Sequence, residues 1–180
     1  MENRSFDLRV RLTLRAWYRV RQFFRATTAR IDEQERAVVA ATLSPALAEL
    51  FYRQSANDQR HALDVYETLR DWAYDDSALL QAALLHDVGK SAGSTHIPIS
   101  YRVVIVLIRA VRPAWLLRLA SPNPQSWRYP FHIHQQHPAR GAALAQAAGA
   151  SPAVVALVAA HHEPGDNPLA GVLCRADEAN

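Results

Sequence analysis

The adjacent pair His86-Asp87 places two metal-binding side chains side by side. Imidazole nitrogen and carboxylate oxygen are both ligands for divalent zinc, manganese, iron or magnesium-type ions. The pair follows an apolar run over residues 78–85, which indicates a helix that ends there. Neighbouring residues of a regular helix point about 100° apart, so both ligands reach one ion most easily at a helix end. Gly89 gives the backbone the freedom to leave the helix at this point.

The sequence supplies further candidate ligands on both sides of this pair. Seven of the eight histidines lie between His86 and His162. The single cysteine, Cys174, excludes an internal disulfide and directs the search for a metal site to histidine and aspartate. The candidates outside the central pair fall on predicted helices or at their ends: His61, His137, His161, His162 and Asp177.

Helix start and stop signals divide most of the chain into short helices, and alanine and leucine dominate its composition. An all-α fold in one domain is therefore expected for this length. Each predicted helix begins at a residue that can cap it or at a proline that suits the first turn. The predicted helices run from Asp32 to about Thr42, from Ser44-Pro45 to Arg53, from Ser55 to about Trp72, from residues 75–77 to His86, from Ser151-Pro152 to His161, and from Asn167-Pro168 through Asp177.

Residues 97–120 are the most apolar stretch, and Pro113 must break or kink any helix formed there. Two interpretations stay open: a buried helix or lid over the site, and a helix that lies in a membrane interface. Residues 121–136 are rich in proline, asparagine and serine, which predicts a long loop that contains His132 and His134. A helix from Pro138 to Ala148 is predicted to start just after His137.

The positive charge of the chain is concentrated at its N-terminus. The formal net charge is +3, and residues 1–30 alone carry eight arginines against two carboxylates, Glu2 and Asp7. Residues 8–26 predict a basic amphipathic helix, although period-two alternation over residues 9–15 leaves a strand as an alternative. Packing on the domain, contact with an anionic membrane, and binding to nucleic acid or an acidic partner all suit this arm. The arginines exclude a signal peptide, and no uncharged stretch reaches the ~20 residues of a membrane span, so a cytoplasmic location is expected.

In the order H…HD…H…HH…D, these residues resemble the HD-domain superfamily of metal-dependent phosphohydrolases over residues 58–180. The matching segments are QRHALDV around His61, ALLHDVGK at 83–90, HPARGAAL at 137–144, HHE at 161–163 and ADEAN at 176–180. The Gly-Tyr-Pro tripeptide of the subgroup that cleaves cyclic dinucleotides is missing after His-His-Glu. Asn57 stands where some members have a glutamate for a third metal.

The resemblance implies a single-domain helical bundle over residues 31–180 with one or two divalent ions (Mn, Fe, Co, Ni, Zn or Mg) at its centre. Separately from the resemblance, residues 1–30 are expected to form an appended arm and 97–136 an apolar helix plus loop, for which a lid is one of the open interpretations. The implied ligands of the first ion are His61, His86, Asp87 and Asp177. His137 and His161 are implied for a second ion that Asp87 bridges, while His162 and Glu163 are further candidates as a ligand or as a group that supports one.

The same resemblance implies chemistry in which a metal-activated hydroxide attacks phosphorus and Lys90 stabilises the phosphate oxygens. The expected substrate is a small-molecule phosphoester or phosphoanhydride, in the first place a nucleotide; nucleic acid is not the expected partner. Two alternatives stay open. One is a metal-containing regulatory or binding module, associated with a membrane through residues 8–26 and 97–120. The other is an oxidase that uses a di-iron version of the same ligand set. The sequence does not predict the oligomeric state.

Overall fold

The computed structural model describes residues 31–91, 97–112 and 114–180. Within these ranges the chain forms nine α-helices and one 3-10 turn and contains no strand, which confirms the predicted all-α class. The predicted basic helix over residues 8–26 lies outside them. The helices are α1 (Glu33–Thr42), α2 (Pro45–Tyr52), α3 (Ala56–Asp71), α4 (Ser77–Leu85), α5 (Ile99–Val111), α6 (Ala114–Leu119), α7 (Tyr129–Ala147), α8 (Pro152–Ala160) and α9 (Pro168–Ala179), and the 3-10 turn spans Val88–Ser91.

Helix α4 is the central helix of the bundle. It is apolar on all sides, as expected of a helix that other elements surround, and Leu79, Leu84 and Leu85 are completely buried. Helices α1, α2, α3, α8 and α9 all contact it. The residues that follow α4, beginning with His86, are therefore delivered into the interior of the protein.

The predicted caps position the helices around α4. Asp32 and Glu35 form a reciprocal capping box at the start of α1, with both hydrogen bonds 2.8 Å long. The side chains of Ser55, Asp76, Ser151 and Asn167 each accept a hydrogen bond from a backbone N–H in the first turn of α3, α4, α8 and α9. Ser44 precedes Pro45 as expected but makes no side-chain cap. These helices begin within a residue or two of their predicted positions.

Helix α7 shows that the loop prediction for residues 129–136 was wrong. The helix begins at Tyr129, so His132 and His134 are helical, and Pro138 lies inside the helix and not at its start. An internal proline lacks the N–H that would bond to the carbonyl four residues earlier. Here that carbonyl belongs to His134, and it accepts a hydrogen bond from Nδ1 of His137 instead. The substitute donor allows the helix to pass through Pro138 without leaving a buried carbonyl unpaired.

Helices α5 and α6 are attached to the bundle through a second, smaller core. Its buried members are Ile97, Ile105, Leu116, Phe131 and Ile133, contributed by the segment 97–116 and the start of α7. Helix α5 ends at Val111 and α6 begins at Ala114, so the helices are interrupted where Pro113 predicted a break. No helix in the described ranges is long and apolar enough to cross a membrane.

A buried ion pair also ties α5 to α3. The Arg102 guanidinium donates to both oxygens of Asp58, and the bond between Nη2 and Oδ2 is 2.9 Å long. Asp58 is 2% exposed and receives a further hydrogen bond from the hydroxyl of Ser55. Arg102 also donates to the carbonyl of Ile97. The position of α5 therefore depends on a charge pair that is removed from water.

Gly89 brings the 3-10 turn against α7. A Cβ atom at this position would lie 2.0 Å from the carbonyl oxygen of His137 and 2.7 Å from the backbone nitrogen of Gly141. The positive-φ glycines of the described chain are Gly149 and Gly165. The predicted reason for this glycine, conformational freedom at a helix end, was therefore wrong: what matters is the absence of a side chain where two backbones meet.

Replacing Gly89 by alanine should destabilise the fold, because the methyl group would have to push the turn away from α7. We expect the free energy of unfolding to fall by at least ~2 kcal/mol, at the upper end of overpacking costs, as measured by urea denaturation. Gly171→Ala is the matched control. Its Cβ would meet only the end of the Arg175 side chain, at 3.6 Å, and alanine should stabilise helix α9 by up to ~1 kcal/mol. Equal effects at the two glycines would contradict the packing argument.

Replacing one partner of the Asp58–Arg102 pair should lower the free energy of unfolding more than replacing both partners. Arg102→Met leaves the buried carboxylate unpaired, and we expect a loss of about 3–5 kcal/mol in thermal or chemical unfolding. The double variant Asp58→Asn/Arg102→Met should recover a substantial part of that loss, because no unpaired charge remains buried. A double variant no more stable than Arg102→Met would show that the pair does not act as a unit.

Candidate metal centre

Asp87 occupies the middle of a buried cluster of histidines. Its Oδ2 atom lies 3.5 Å from Nε2 of His86. Its Oδ1 atom lies 3.3 Å from Nε2 of His137 and 3.9 Å from Nε2 of His161. The carboxylate is 1% exposed, and the three histidines are completely buried. Each oxygen of one carboxylate therefore faces a different part of the cluster.

The same local hydrogen bond orients three of these histidines. Nδ1 of His86 donates to the carbonyl of Ala83, and Nδ1 of His161 donates to that of Val158, at 2.8 and 2.7 Å. In α7, His137 makes the equivalent bond to His134. Each acceptor lies three residues earlier in the histidine's own helix. The bond holds a proton on Nδ1, so Nε2 is the nitrogen that faces the centre and would bind a metal there.

Two of these bonds also complete the helix ends. The last four carbonyls of a helix have no partner within it, and His86 and His161 are the C-cap residues that directly follow α4 and α8. Gln54 adds a second donor at the end of α4, from Nε2 to the carbonyl of Leu84 at 3.2 Å. The helices can therefore end inside the protein at the point where their histidines face the cluster.

His61 and Asp177 complete one side of the cluster. Nε2 of His61 is hydrogen-bonded to Oδ1 of Asp177 at 2.8 Å, and the same oxygen lies 3.7 Å from Nε2 of His86. Asn180 holds this end of α9 against α3, because its amide donates to the hydroxyl of Thr68 at 2.9 Å. His61, His86 and Asp87 offer ligand atoms within 4.8 Å of one another, and Asp177 borders the same space.

The second side of the cluster contains both histidines of the adjacent pair. His137, His161 and His162 offer ligand atoms that also lie within 4.8 Å of one another. The His161 and His162 rings have centroids 5.1 and 5.0 Å from that of His137. Helical geometry would direct neighbouring side chains apart, but α8 ends at Ala160, and His162 lies in the bend that follows. The structure therefore places His162, a further candidate from the sequence, beside His137 and His161.

Charge in the metal-free cluster is unevenly distributed. Burial alone would raise the pKa of Asp87, but the Lys90 ammonium and His86 hold it well below its usual value. Burial likewise opposes ionisation of Asp177, yet its hydrogen bond with His61 keeps its pKa well below the usual range. Burial opposes protonation of His86 too, but the nearby carboxylates Asp87 and Asp177 raise its pKa to about 9.

The other half of the cluster is neutral. Burial, together with the neighbouring His86 and His137, lowers the pKa of His161 to about 3. Burial also lowers the pKa of His137 despite its contact with Asp87. Neutral imidazole is the form that binds metal ions, so these histidines need lose no proton to become ligands.

The residues present fit a divalent metal ion. Four buried atoms have no hydrogen-bond partner among the described residues: Nε2 of His86, Oδ1 of Asp87 and both ring nitrogens of His162. Buried polar atoms are almost always paired with protein, water or an ion. Ligands bound to one ion at ~2.1 Å lie roughly 3–3.5 Å from each other, which is close to the 3.3 and 3.5 Å separations around Asp87. Mixed imidazole and carboxylate donors suit several first-row metals and do not select one.

The remaining candidates have different positions. Lys90 donates a hydrogen bond to Oδ2 of Asp87, so its ammonium lies at the edge of the cluster. Glu163 is exposed, and within the described residues no hydrogen bond or ion pair joins its carboxylate to the centre. His132 stacks on Tyr129 in α7, and His96 lies outside the described ranges.

His134 is the residue that the sequence-based prediction missed. Its ring stacks on that of His137 with centroids 5.4 Å apart, and it lies 6.1 Å from the ring of His162. Its carbonyl fixes the orientation of His137. His134 and His137 are three residues apart, a spacing that would indicate a shared helix face. The prediction did not use it because Pro138 was expected to begin the helix.

Comparison with known families agrees with this geometry. A family model described as HD domain matches residues 59–179, more than half of the chain. The curated proteins and the solved structures gave no significant match. The matched region begins before His61 and ends after Asp177, so it contains every residue of the cluster around Asp87. The chain belongs to the HD domain family.

Proposed function

We propose that this protein is a metal-dependent phosphohydrolase that cleaves a phosphoester or phosphoanhydride bond of a small molecule. The observation that carries the proposal is the position of Asp87 between two groups of ligand atoms. One group is His61, His86 and Asp87 with Asp177 beside it, and the other is His137, His161 and His162. A carboxylate in this position can be shared by two ions.

The first ion would be held by His61, His86, Asp87 and Asp177, and the second by Asp87, His137, His161 and His162. Divalent ions held there would lower the pKa of bound water and offset negative charge on phosphoryl oxygens. The protein contributes rigid ligand positions, since the backbone hydrogen bonds of His86, His137 and His161 fix their rings before any ion binds. The metal identity is left open by this donor set.

Lys90 has the position expected of a group that holds phosphate. Its side chain is 20% exposed and donates to Asp87, which is almost completely buried. When metal ions neutralise Asp87, that carboxylate no longer needs the ammonium as its main counter-charge. We propose that Lys90 then turns its N–H groups to a phosphate oxygen, where a positive charge stabilises the developing negative charge.

A nucleotide is the proposed substrate class, and family resemblance supports it. A panel of nucleoside mono-, di- and triphosphates, sugar phosphates and a generic aryl phosphate tests it with the metal-loaded protein. Turnover of the nucleotides well above the others is the expected result. Inactivity toward the whole panel, with metal bound at the centre, would favour a regulatory module instead.

Asp87→Asn should abolish both metal retention and turnover while the fold persists. The amide keeps the size of the side chain but removes the charge that both groups of ligands face. We expect activity to fall at least ~100-fold, because losing a group that only supports a ligand already costs up to about that much. Elemental analysis and the phosphatase assay measure the two effects, and circular dichroism checks the fold. Asp64→Asn is the matched control, because Asp64 lies on α3 beside Arg60. Full activity in Asp87→Asn would refute the proposed centre.

Metal binding should release a proton from His86. Its pKa in the metal-free fold, about 9, is above the ordinary 6.5, so the charged ring stabilises the metal-free protein fully below about 6.5, and this contribution is lost as the pH rises through about 9. A metal must displace that proton. We expect release of about one proton on metal addition at pH 7.5, fading above pH 9, and an affinity that rises with pH up to that point. A pH indicator measures the release. Binding at pH 7.5 without proton release would contradict this charge assignment.

A further inference from the structure

The outer side of α5 and α6 exposes a set of large apolar side chains. We call the outer patch the residues Val104, Leu107, Val111, Trp115 and Leu117. Val111 is 77% exposed and Leu117 71% exposed. Trp127, which follows α6, is also mostly exposed. Single exposed apolar residues are common, but clustered ones mark interaction sites.

The arrangement of α5 shows that the patch is not the edge of the core. Val104, Leu107 and Val111 recur at helical spacing on one side. The side that faces the protein carries Ile105, which is buried in the small core with Phe131. The helix is therefore apolar on both sides, although only one side packs against described residues.

The charge around the patch has one sign. Between residues 88 and 162 the sequence contains no aspartate or glutamate. The cationic residues of that stretch are Lys90, Arg102, Arg109, Arg112, Arg118, Arg128 and Arg140. Arg112 lies over the ring of Trp115, 5.7 Å from its centroid, and the side chain of Arg118 is exposed. An anionic partner would therefore meet no repelling carboxylate from this stretch.

We propose that the outer patch docks on the surface of an anionic membrane. Exposed aliphatic side chains, tryptophan and arginine together match the boundary between headgroups and acyl chains. Arginine and lysine near an anionic leaflet each add about 1 kcal/mol of attraction. A nucleic acid would satisfy the arginines but would leave Val104, Leu107 and Leu117 in water, so the apolar part of the patch favours lipid.

Docking on this side leaves the metal centre intact. The side chain that joins α5 to α3, Arg102, points inward to Asp58, while the patch lies on the other side of the helix. The proposal therefore does not depend on the phosphohydrolase activity, and the two can fail separately.

The direct test is sedimentation of the full chain with lipid vesicles. We expect binding on the order of tenfold or more tighter to phosphatidylcholine vesicles that contain phosphatidylglycerol than to phosphatidylcholine alone, with weakening as salt is added. The double variant Leu107→Asp/Leu117→Asp should lose this binding. Tyr52→Asp/Trp72→Asp is the matched control, since both are large apolar side chains, 45% and 43% exposed against 46% for Leu107, and both lie outside the patch. Unchanged binding in the patch variant, or equal loss in the control, would overturn the proposal.

Tryptophan fluorescence gives a second readout. The four tryptophans are Trp17, Trp72, Trp115 and Trp127, so Trp17→Phe/Trp72→Phe leaves only the two near the patch. Their emission should shift to the blue on anionic vesicles and be quenched by brominated lipid. No shift, with binding that is instead lost in Trp17→Asp/Phe24→Asp, would assign the contact to the N-terminal arm and overturn the proposal. A dimer in analytical ultracentrifugation that dissociates in the patch variant would overturn it in favour of a second copy.

Discussion

A carboxylate removed from water is the constraint on which this structure depends. Asp87 is almost completely buried, and an ionised group in that position is stable only with charge and hydrogen-bond partners around it. Lys90, His86 and His137 provide the contacts that the protein can supply. Within the part of the chain that the structure describes, Oδ1 still has no hydrogen-bond partner. The helices thus hold together a site whose negative charge is only partly balanced by side chains, and binding of a cation would complete that balance.

Two of the histidines reach Asp87 because they lie at the ends of buried helices. A buried helix end needs donors for its last carbonyls, and a centre of this kind needs imidazoles in a defined orientation. His86 and His161 meet both needs, because Nδ1 bonds to the carbonyl three residues back and Nε2 faces Asp87. His137 uses the same bond within α7 at a carbonyl that Pro138 leaves without a donor. Helix termination and ligand orientation are therefore the same interaction.

The sequence was informative wherever a local rule decides the structure. Caps such as Asp32 and Asn167 depend on neighbours within a few residues, so the starts of most helices were predicted. The order of ligands also identified the members of the cluster. Pro138 misled the prediction because the donor that compensates for it is a side chain of the same turn, whose orientation depends on the buried centre. The role of Gly89 was missed because the backbone that it contacts lies some fifty residues further along the chain, in α7.

The main core and the small core hold different parts of the protein, and the part held by the small core has fewer buried contacts. The main core surrounds α4 and contains the helices that carry His61 and Asp177 and those that end just before Asp87 and His161. The segment 97–119 packs on α7 through a few residues and is joined to α3 by the buried Asp58–Arg102 pair. Fewer buried apolar contacts mean lower local stability, so this segment should respond to a partner more readily than the ligands do. A membrane on the outer side of this segment could alter the metal centre only if α5 had two alternative positions and the membrane bound one of them more tightly than the other. The Asp58–Arg102 pair forms when α5 lies where the structure places it. A second position of α5 would break this buried pair, so the pair stabilises the first.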